Sequence, residues 1–235
     1  MKIFSIGDLH LSSAAPKPMS IFGSHWDGHW DKICSNWRSS VNSDDVVLIP
    51  GDISWAMQLE DAKADLDLID QLPGRKIIIR GNHDYWWNSI MRVRRALPPS
   101  IHAIQNDSID LGEYVVCGTR GWLCPEAQNF SANDMKIYLR ETGRLKLSLE
   151  NAAKHGKPII VMMHYPPFSE KNEQSEFTQL IKQYNVTQVV YGHLHHCTPD
   201  NVFEICMDEV MYSLVACDYL GFRVKCIMQN SECRN

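Results

Sequence analysis

Aspartate, histidine and asparagine gather at five points of this chain, each directly after a short apolar run. Ile6 is followed by Gly7-Asp8-Leu9-His10, Ile49 by Pro50-Gly51-Asp52, Ile79 by Arg80-Gly81-Asn82-His83-Asp84, Met163 by His164, and Tyr191 by Gly192-His193-Leu194-His195. Carboxylate, imidazole and amide oxygen are metal ligands, and no cysteine stands among them. Such a mixed nitrogen and oxygen set suits Mn(II), Fe, Zn(II) or Ni(II) better than Mg(II) or Ca(II), which take all-oxygen shells. Asp8 and His10 are two apart, as are His193 and His195. In extended chain such residues point to the same side, so each pair is expected to face one ion cluster. Glycine precedes the polar residue at Gly7, Gly51, Gly81 and Gly192, where it permits a sharp bend and close approach of backbone to the site.

The elements that must position these residues are legible in the same runs. Strands are expected over residues 3–6, 46–49, 76–79, 115–117, 159–163 and 188–191. They are apolar almost throughout rather than alternating, the pattern of strands buried on both faces. Between them, Trp55, Leu59, Ala62, Leu66 and Ile69 recur at helical spacing, which leaves Asp61, Lys63, Asp65 and Asp67 on a solvated face. A longer helix is expected from about Asn133 to Lys154, apolar through Met135, Leu139, Thr142, Leu145, Leu149 and Ala152, and stopped by His155-Gly156-Lys157-Pro158. Alternating strand and helix point to an α/β sheet with helices on its outer faces. The carboxyl ends of its strands line the binding crevice, so the five polar turns can converge there. Residues 202–206, 210–216 and 222–228 read as further strands without helices between them, an antiparallel meander completing a sheet, and residues 229–235 as a loose tail. The whole chain, residues 1–235, reads as a single domain.

Taken in order, the polar turns resemble the calcineurin-like metallophosphoesterase superfamily. Its pattern of D-x-H, G-D, G-N-H-D or G-N-H-E, a lone H and G-H-x-H runs here from Asp8 to His195. The resemblance implies an αββα four-layer sandwich of two packed mixed sheets flanked by helices. It also implies that Asp8, His10, Asp52 and His195 hold one metal and that Asn82, His164 and His193 hold a second, with Asp52 bridging. A divalent or mixed-valence pair of Mn, Fe or Zn ions about 3.5–4 Å apart can share a water, lower its pKa and hold a phosphoryl oxygen while the hydroxide attacks. No protein nucleophile is then required, and no G-x-S-x-G elbow is present.

The resemblance further implies that His83 is the general acid to the leaving oxygen, a role worth about a hundred- to ten-thousand-fold in rate. Asp84, Asp8 or Asp52 would orient its ring. Protein Ser/Thr phosphatases of the superfamily extend G-D to G-D-x-x-D-R-G, whereas Gly51-Asp52-Ile53-Ser54-Trp55-Ala56 lacks the second Asp and the Arg. The chain departs from that subgroup. Arg120, within Gly118-Thr119-Arg120-Gly121-Trp122, is the expected substitute, because a planar guanidinium suits phosphoryl oxygens.

Plainer roles are expected elsewhere. His25, His29, His102, His155 and His196 read as structural or solvated, although His25 and His29 lie in an aromatic segment that could wall a pocket. Trp86 and Trp87 read as core before pocket wall. Asp52 by itself would serve as a helix cap, and residues 60–70 as a solvated helix face. With 44% hydrophobic and 22% charged residues the composition favours neither a disordered nor a fibrous chain. A net charge of −5 gives no general attraction to long nucleic acid or anionic membrane. No run reaches the about 18–20 apolar residues of a membrane span. Asp8 lies so near the start that a cleaved leader would remove the first ligands, and a cytoplasmic location is expected. The eight cysteines form no C-x-x-C pair and read as reduced thiols.

The expected activity is metal-dependent hydrolysis of a phosphorylated small molecule, a phosphomonoester before a phosphodiester or nuclease substrate. Hydrolysis of a carboxylic or sulfuric ester, and a catalytically silent interaction module on the same fold, are the alternatives.

Overall fold

The central strands are apolar at nearly every position because both of their faces are covered, as in Val46–Ile49, Val115–Thr119 and Ile159–Met163, where every residue is buried. In the computed structural model, which describes residues 1–14, 16–169, 174–195 and 204–229, the elements follow as β1 (Lys2–Ser5), α1 (His29–Ser40), β2 (Val46–Ile49), α2 (Leu59–Asp70), β3 (Arg75–Ile78), α3 (Ile90–Ala96), β4 (Ile101–Ala103), β5 (Ser108–Asp110), β6 (Val115–Thr119), α4 (Ala132–Ala153), β7 (Ile159–Met163), α5 (Glu176–Ile181), β8 (Val186–Tyr191), β9 (Glu204–Met207), β10 (Val210–Leu214) and β11 (Lys225–Gln229). One sheet has the order β11-β1-β2-β3-β4 and the other β5-β6-β7-β8-β10-β9.

Successive side chains leave a strand on opposite faces. Ile3, Val46, Leu48, Ile77, Val116, Ile160, Met162 and Val190 form the apolar layer between the sheets. Their neighbours Phe4, Val47, Ile49 and Ile78 pack outward with Ile33, Trp37, Leu66, Ile69 and Val93 of α1, α2 and α3. On the far side Val115, Cys117, Val161, Met163 and Val189 pack with Tyr138, Leu145 and Leu149 of α4 and Phe177 of α5. Three apolar layers between four tiers make an αββα sandwich, as expected.

The structure adds α1, α3, α5, β4 and β5 to the elements anticipated from sequence. They are short or sparsely apolar: α1 buries only Ile33, Cys34 and Trp37, and β4 and β5 have three residues each. The C-terminal strands do not form one meander. β9 and β10 pair antiparallel in the second sheet, β10 runs parallel to β8, and β11 pairs antiparallel with β1 in the first. The crossing is made where Gly7 N–H donates to Val215 O (2.6 Å) and Cys217 N–H donates to Gly7 O (3.0 Å), stitching the end of β1 to the chain leaving β10. Residues 202 and 203 of the expected strand, and the tail beyond 229, lie outside the described residues, as do His196, Cys197 and Cys233.

Two helical faces also differ from expectation. Met135 and Leu139 of α4 are 38% and 53% exposed, while Glu141 and Ser148 are buried. The face is rotated because those polar groups have partners inside: Thr119 Oγ1 donates to Glu141 (2.7 Å) and Gly118 N–H to Ser148 Oγ (2.9 Å). In α2, Asp65 is buried rather than solvated, accepting from Ser54 Oγ (2.5 Å) and Ser13 N–H (3.0 Å). These bonds tie α2 to the loops that follow β1 and β2. Among the described residues no helix is long and apolar enough to cross a membrane.

Candidate metal centre

The turns leaving β1, β2, β3, β7 and β8 meet at one end of the sandwich. Ligand atoms of Asp8, His10 and His195 lie within 4.8 Å of one another, and so do those of Asp8, Asp52 and His164. Asp52 Oδ2 stands between these groups, 3.8 Å from His10 Nε2 and 3.4 Å from His164 Nε2. Asn82 Oδ1 completes the second side, 2.6 Å from His164 Nε2 and 3.0 Å from His193 Nδ1. Asp8, His10, Asp52, Asn82, His164, His193 and His195 are thus brought together from across the chain.

The backbone that does this is not extended, contrary to the simple two-apart reading. Asp8, His10, Asp52 and His193 have φ of 58°, 48°, 50° and 71°. Left-handed backbone is uncommon for residues other than glycine, costs on the order of 1–3 kcal/mol each, and concentrates at functional sites. Hydrogen bonds hold it: Asp8 N–H donates to Gly51 O, His10 N–H to Asp52 O, and His193 N–H to the Asp8 carboxylate. Close approach explains two of the glycines. A Cβ on Gly81 would collide with Asp52, and one on Gly192 with the Asp8 carboxylate.

The donor set could hold a metal ion. His164 Nδ1 donates to Pro50 O (3.0 Å), so in the neutral ring Nε2 is a lone pair. Burial keeps this ring neutral, pushing its pKa down to about 3. That lone pair faces the oxygens of Asn82 and Asp52, and acceptors so close repel unless a proton or metal lies between them. Burial likewise pushes His193 down to about 2, with His164 adding to the effect, and lowers His10. Burial raises the Asp8 and Asp52 carboxyls. The neutral imidazoles of His10, His164 and His193 beside two buried carboxylates make a set that could hold a metal ion.

Several neighbours were not foreseen. Asp218 accepts from His195 Nδ1 (3.0 Å), which turns Nε2 toward His10 Nε2 (3.2 Å). Burial acts to lower the His195 pKa, but Asp218 and Asp8 outweigh it and raise it to about 9. A carboxylate behind a ligating histidine fixes its tautomer. It lies 23 positions from His195, with no local motif to mark it. Trp55, expected on a helix face, precedes α2, whose N-terminal cap is Gln58; its ring stacks on His10 (4.9 Å) and lies 4.3 Å from His83. Asp52 is therefore no helix cap. His29 Nε2 bonds Leu9 O (3.1 Å) and so steadies the ligand turn, while Trp86 and Trp87 are core.

His83 is half-buried with its ring toward Trp55 and its Nδ1 3.4 Å from the Tyr85 hydroxyl. Burial lowers its pKa and Asp52 opposes that. Asp84 does not reach this ring. Its carboxylate is buried among four donors: Ile53 N–H (2.9 Å), Ser54 N–H (3.2 Å), Gly81 N–H (2.7 Å) and Trp86 Nε1 (3.0 Å). Asp84 braces the β2 and β3 turns against each other, a correction to the expectation that it orients His83. Asp84→Asn turns an amide N–H2 toward one of these donors and is expected to cost about 1–3 kcal/mol of stability. An unchanged denaturation midpoint in that variant would contradict the bracing role.

Arg120 also stands elsewhere than expected. Its Nη2 pairs with Glu141 (3.4 Å) and its guanidinium lies over Trp122 (4.6 Å), while its carbonyl accepts the amides of His164 and Tyr165. It lines neither cavity at the ligand cluster. One of these, about 350 Å³, is walled by Met19, Phe22, Trp26 and Trp55 with His10 and His83. The other, about 320 Å³, is walled by Trp122, Leu123, Tyr165 and Phe168. Both include His193 and Leu194.

Residues 1–197 match the family model of the calcineurin-like phosphoesterases, and the chain belongs to that family. It is a metal-dependent hydrolase acting on phosphoester bonds. No curated protein matches it. A phosphopantetheinyl hydrolase from Mycobacterium tuberculosis is similar in structure, with a TM-score of 0.59 at 14% identity over 98% of this chain and 97% of that one. A protein of unknown function from Aquifex aeolicus superposes with a TM-score of 0.50 at 13% identity, covering 95% and 94%. At such identities the likeness is one of fold.

Proposed function

We propose that the chain hydrolyses a phosphorylated small molecule with a dinuclear metal centre. Asp8, His10, Asp52 and His195 hold one ion; Asn82, His164 and His193 hold the other, with Asp52 shared. What supports this reading is the crowd of acceptors around His164 and Asp52, which a bound metal ion would relieve. The mixed donor set selects Mn, Fe or Zn. When bound, the ions supply Lewis acidity and an acidified water.

The chain's own groups do the rest. His83, in the wall of the larger cavity, gives a proton to the leaving oxygen. Its backbone N–H donates to Asp52 Oδ1 (2.8 Å), so the acid is fixed to the shared ligand. Trp55, packed on both His10 and His83, limits water around them. The apolar walls of the cavities place the organic part of the substrate, in sizes typical of small-molecule sites.

A monoester has one organic group and needs one such cavity. The second cavity, meeting the first at His193 and Leu194, favours a second reading in which a diester is cleaved. Metal-reconstituted protein should turn over p-nitrophenyl phosphate or bis-p-nitrophenyl phosphate, and the ratio of kcat/KM ranks the two readings. Turnover of a carboxylic ester alone would sink both.

A further inference from the structure

A third cavity, separate from the two at the ligand cluster, is lined by arginines. It measures about 60 Å³, several times the ~10–15 Å³ that one water needs, and so admits an ion of phosphate size. Arg80, Arg120 and Arg144 face it together with Gln105, Thr119 and Glu141. The one carboxylate is already committed. Glu141 accepts from Thr119 Oγ1 (2.7 Å) and Arg144 Nη1 (2.7 Å), and pairs with Arg120 (3.4 Å) and Arg140 (3.8 Å). Asp84, the other acid near Arg80, is saturated by its four N–H donors.

Arg80 is left over. It makes no ion pair or hydrogen bond with any described residue, and its Nε, like that of Arg120, is buried without a partner. Burial lowers the Arg80 pKa, with Asp84 and Glu141 opposing, yet a guanidinium stays charged at any working pH. Gln105 Oε1 accepts from Trp87 Nε1 (3.0 Å), which leaves its amide N–H2 as one more donor. Several cations share one saturated carboxylate, two buried guanidinium N–H groups are unmet, and the planar fork of arginine matches the oxygens of an oxyanion.

We propose that this cavity binds an oxyanion of the phosphate class. It adjoins the metal centre through the chain itself. Arg80 precedes Asn82 by two residues, at most ~7 Å of backbone, and Arg120 O accepts the amides of His164 (3.0 Å) and Tyr165 (2.9 Å). The ion is therefore either a second anionic group of the substrate or free phosphate bound beside it. The site stands independently of the reading of the metal centre, because none of its donors is a proposed metal ligand.

Calorimetric titration of the metal-loaded protein with inorganic phosphate is expected to show an Arg80-dependent site in addition to any site at the metals. Arg80→Gln should weaken that site at least tenfold; since Arg80 makes no ion pair or hydrogen bond with any described residue, little of the fold depends on it. Arg144→Gln is a second variant with the same expected result. Titrations identical to wild type in both variants would overturn the proposal, as would a wild-type titration whose phosphate uptake disappears entirely with the metals. The two sources separate on substrates. If Arg80→Gln raises the KM of a nucleoside bisphosphate tenfold more than that of its monophosphate, the ion belongs to the substrate. If phosphate binding weakens and that KM ratio does not move, the ligand is free phosphate. Either result supports the site, and a protein inactive on every phosphoester would still show it.

Discussion

His83→Ala is expected to lower kcat about a hundred- to ten-thousand-fold while both metal ions stay bound, a rise in barrier of roughly 2.7–5.5 kcal/mol. The structure gives the separation its physical basis. The His83 ring packs on Trp55 and near Tyr85, its ring lies 5.9 Å from that of His10, and its hydrogen bond to the cluster is made by its backbone N–H, to Asp52. Alanine keeps that N–H. A general acid acts in its protonated form, so wild-type kcat should fall as pH rises through the His83 pKa, and the variant should lose that descending limb. Elemental analysis checks the metals and a pH profile checks the proton. A variant with full kcat, or with an intact descending limb, would remove His83 from the chemistry.

Asp52→Asn should act through the metals instead. If Asp52 is the shared ligand proposed above, losing its charge is expected to weaken metal binding on the order of a hundredfold, about 2.7 kcal/mol, with activity partly restored by excess metal. The variant also has a distinctive signature without metal. Asp8 and Asp52 are both buried, and the charge of Asp52 is among the influences that raise the Asp8 carboxyl. Removing one charge relieves that repulsion, so the midpoint of the metal-free protein should rise while that of the metal-loaded protein falls. Midpoints shifted alike in both states, or equal metal loss in His83→Ala, would show that the division between ligand and acid is wrong.

How much of this was legible beforehand depends on how local each feature is. The strands bearing the ligands were visible because a strand buried on both faces must be apolar at successive positions, and a polar residue directly after such a run marks the strand's end. Strands β1, β2, β3, β7 and β8 are of this kind. α4 was located by its length, yet its buried face was misjudged, because Glu141 and Ser148 are polar residues whose partners lie on β6 and the residues beside it. The place of Asp84 is hidden from the sequence for the same reason. Its nearest neighbour in sequence is His83, the proposed general acid, but its hydrogen-bond donors come from Ile53, Ser54, Gly81 and Trp86. The type of Arg120 suits a phosphoryl group, but its guanidinium pairs with Glu141 on α4.

The order and types of Asp8, His10, Asp52, Asn82, His164, His193 and His195, and their place at strand ends, were determined by the sequence alone. Ligand chemistry depends on residue type, and strand ends follow from local apolar runs. Only the tertiary structure decided that Asp8, His10, Asp52 and His193 are held in left-handed backbone, that Asp218 orients His195, that Trp55 walls the site, and that β11 returns to the first sheet. It also decided that Arg80 meets Arg120 and Arg144 around one small cavity. Each of these depends on hydrogen bonds and packing between residues far apart in the chain, whose partners no local pattern names.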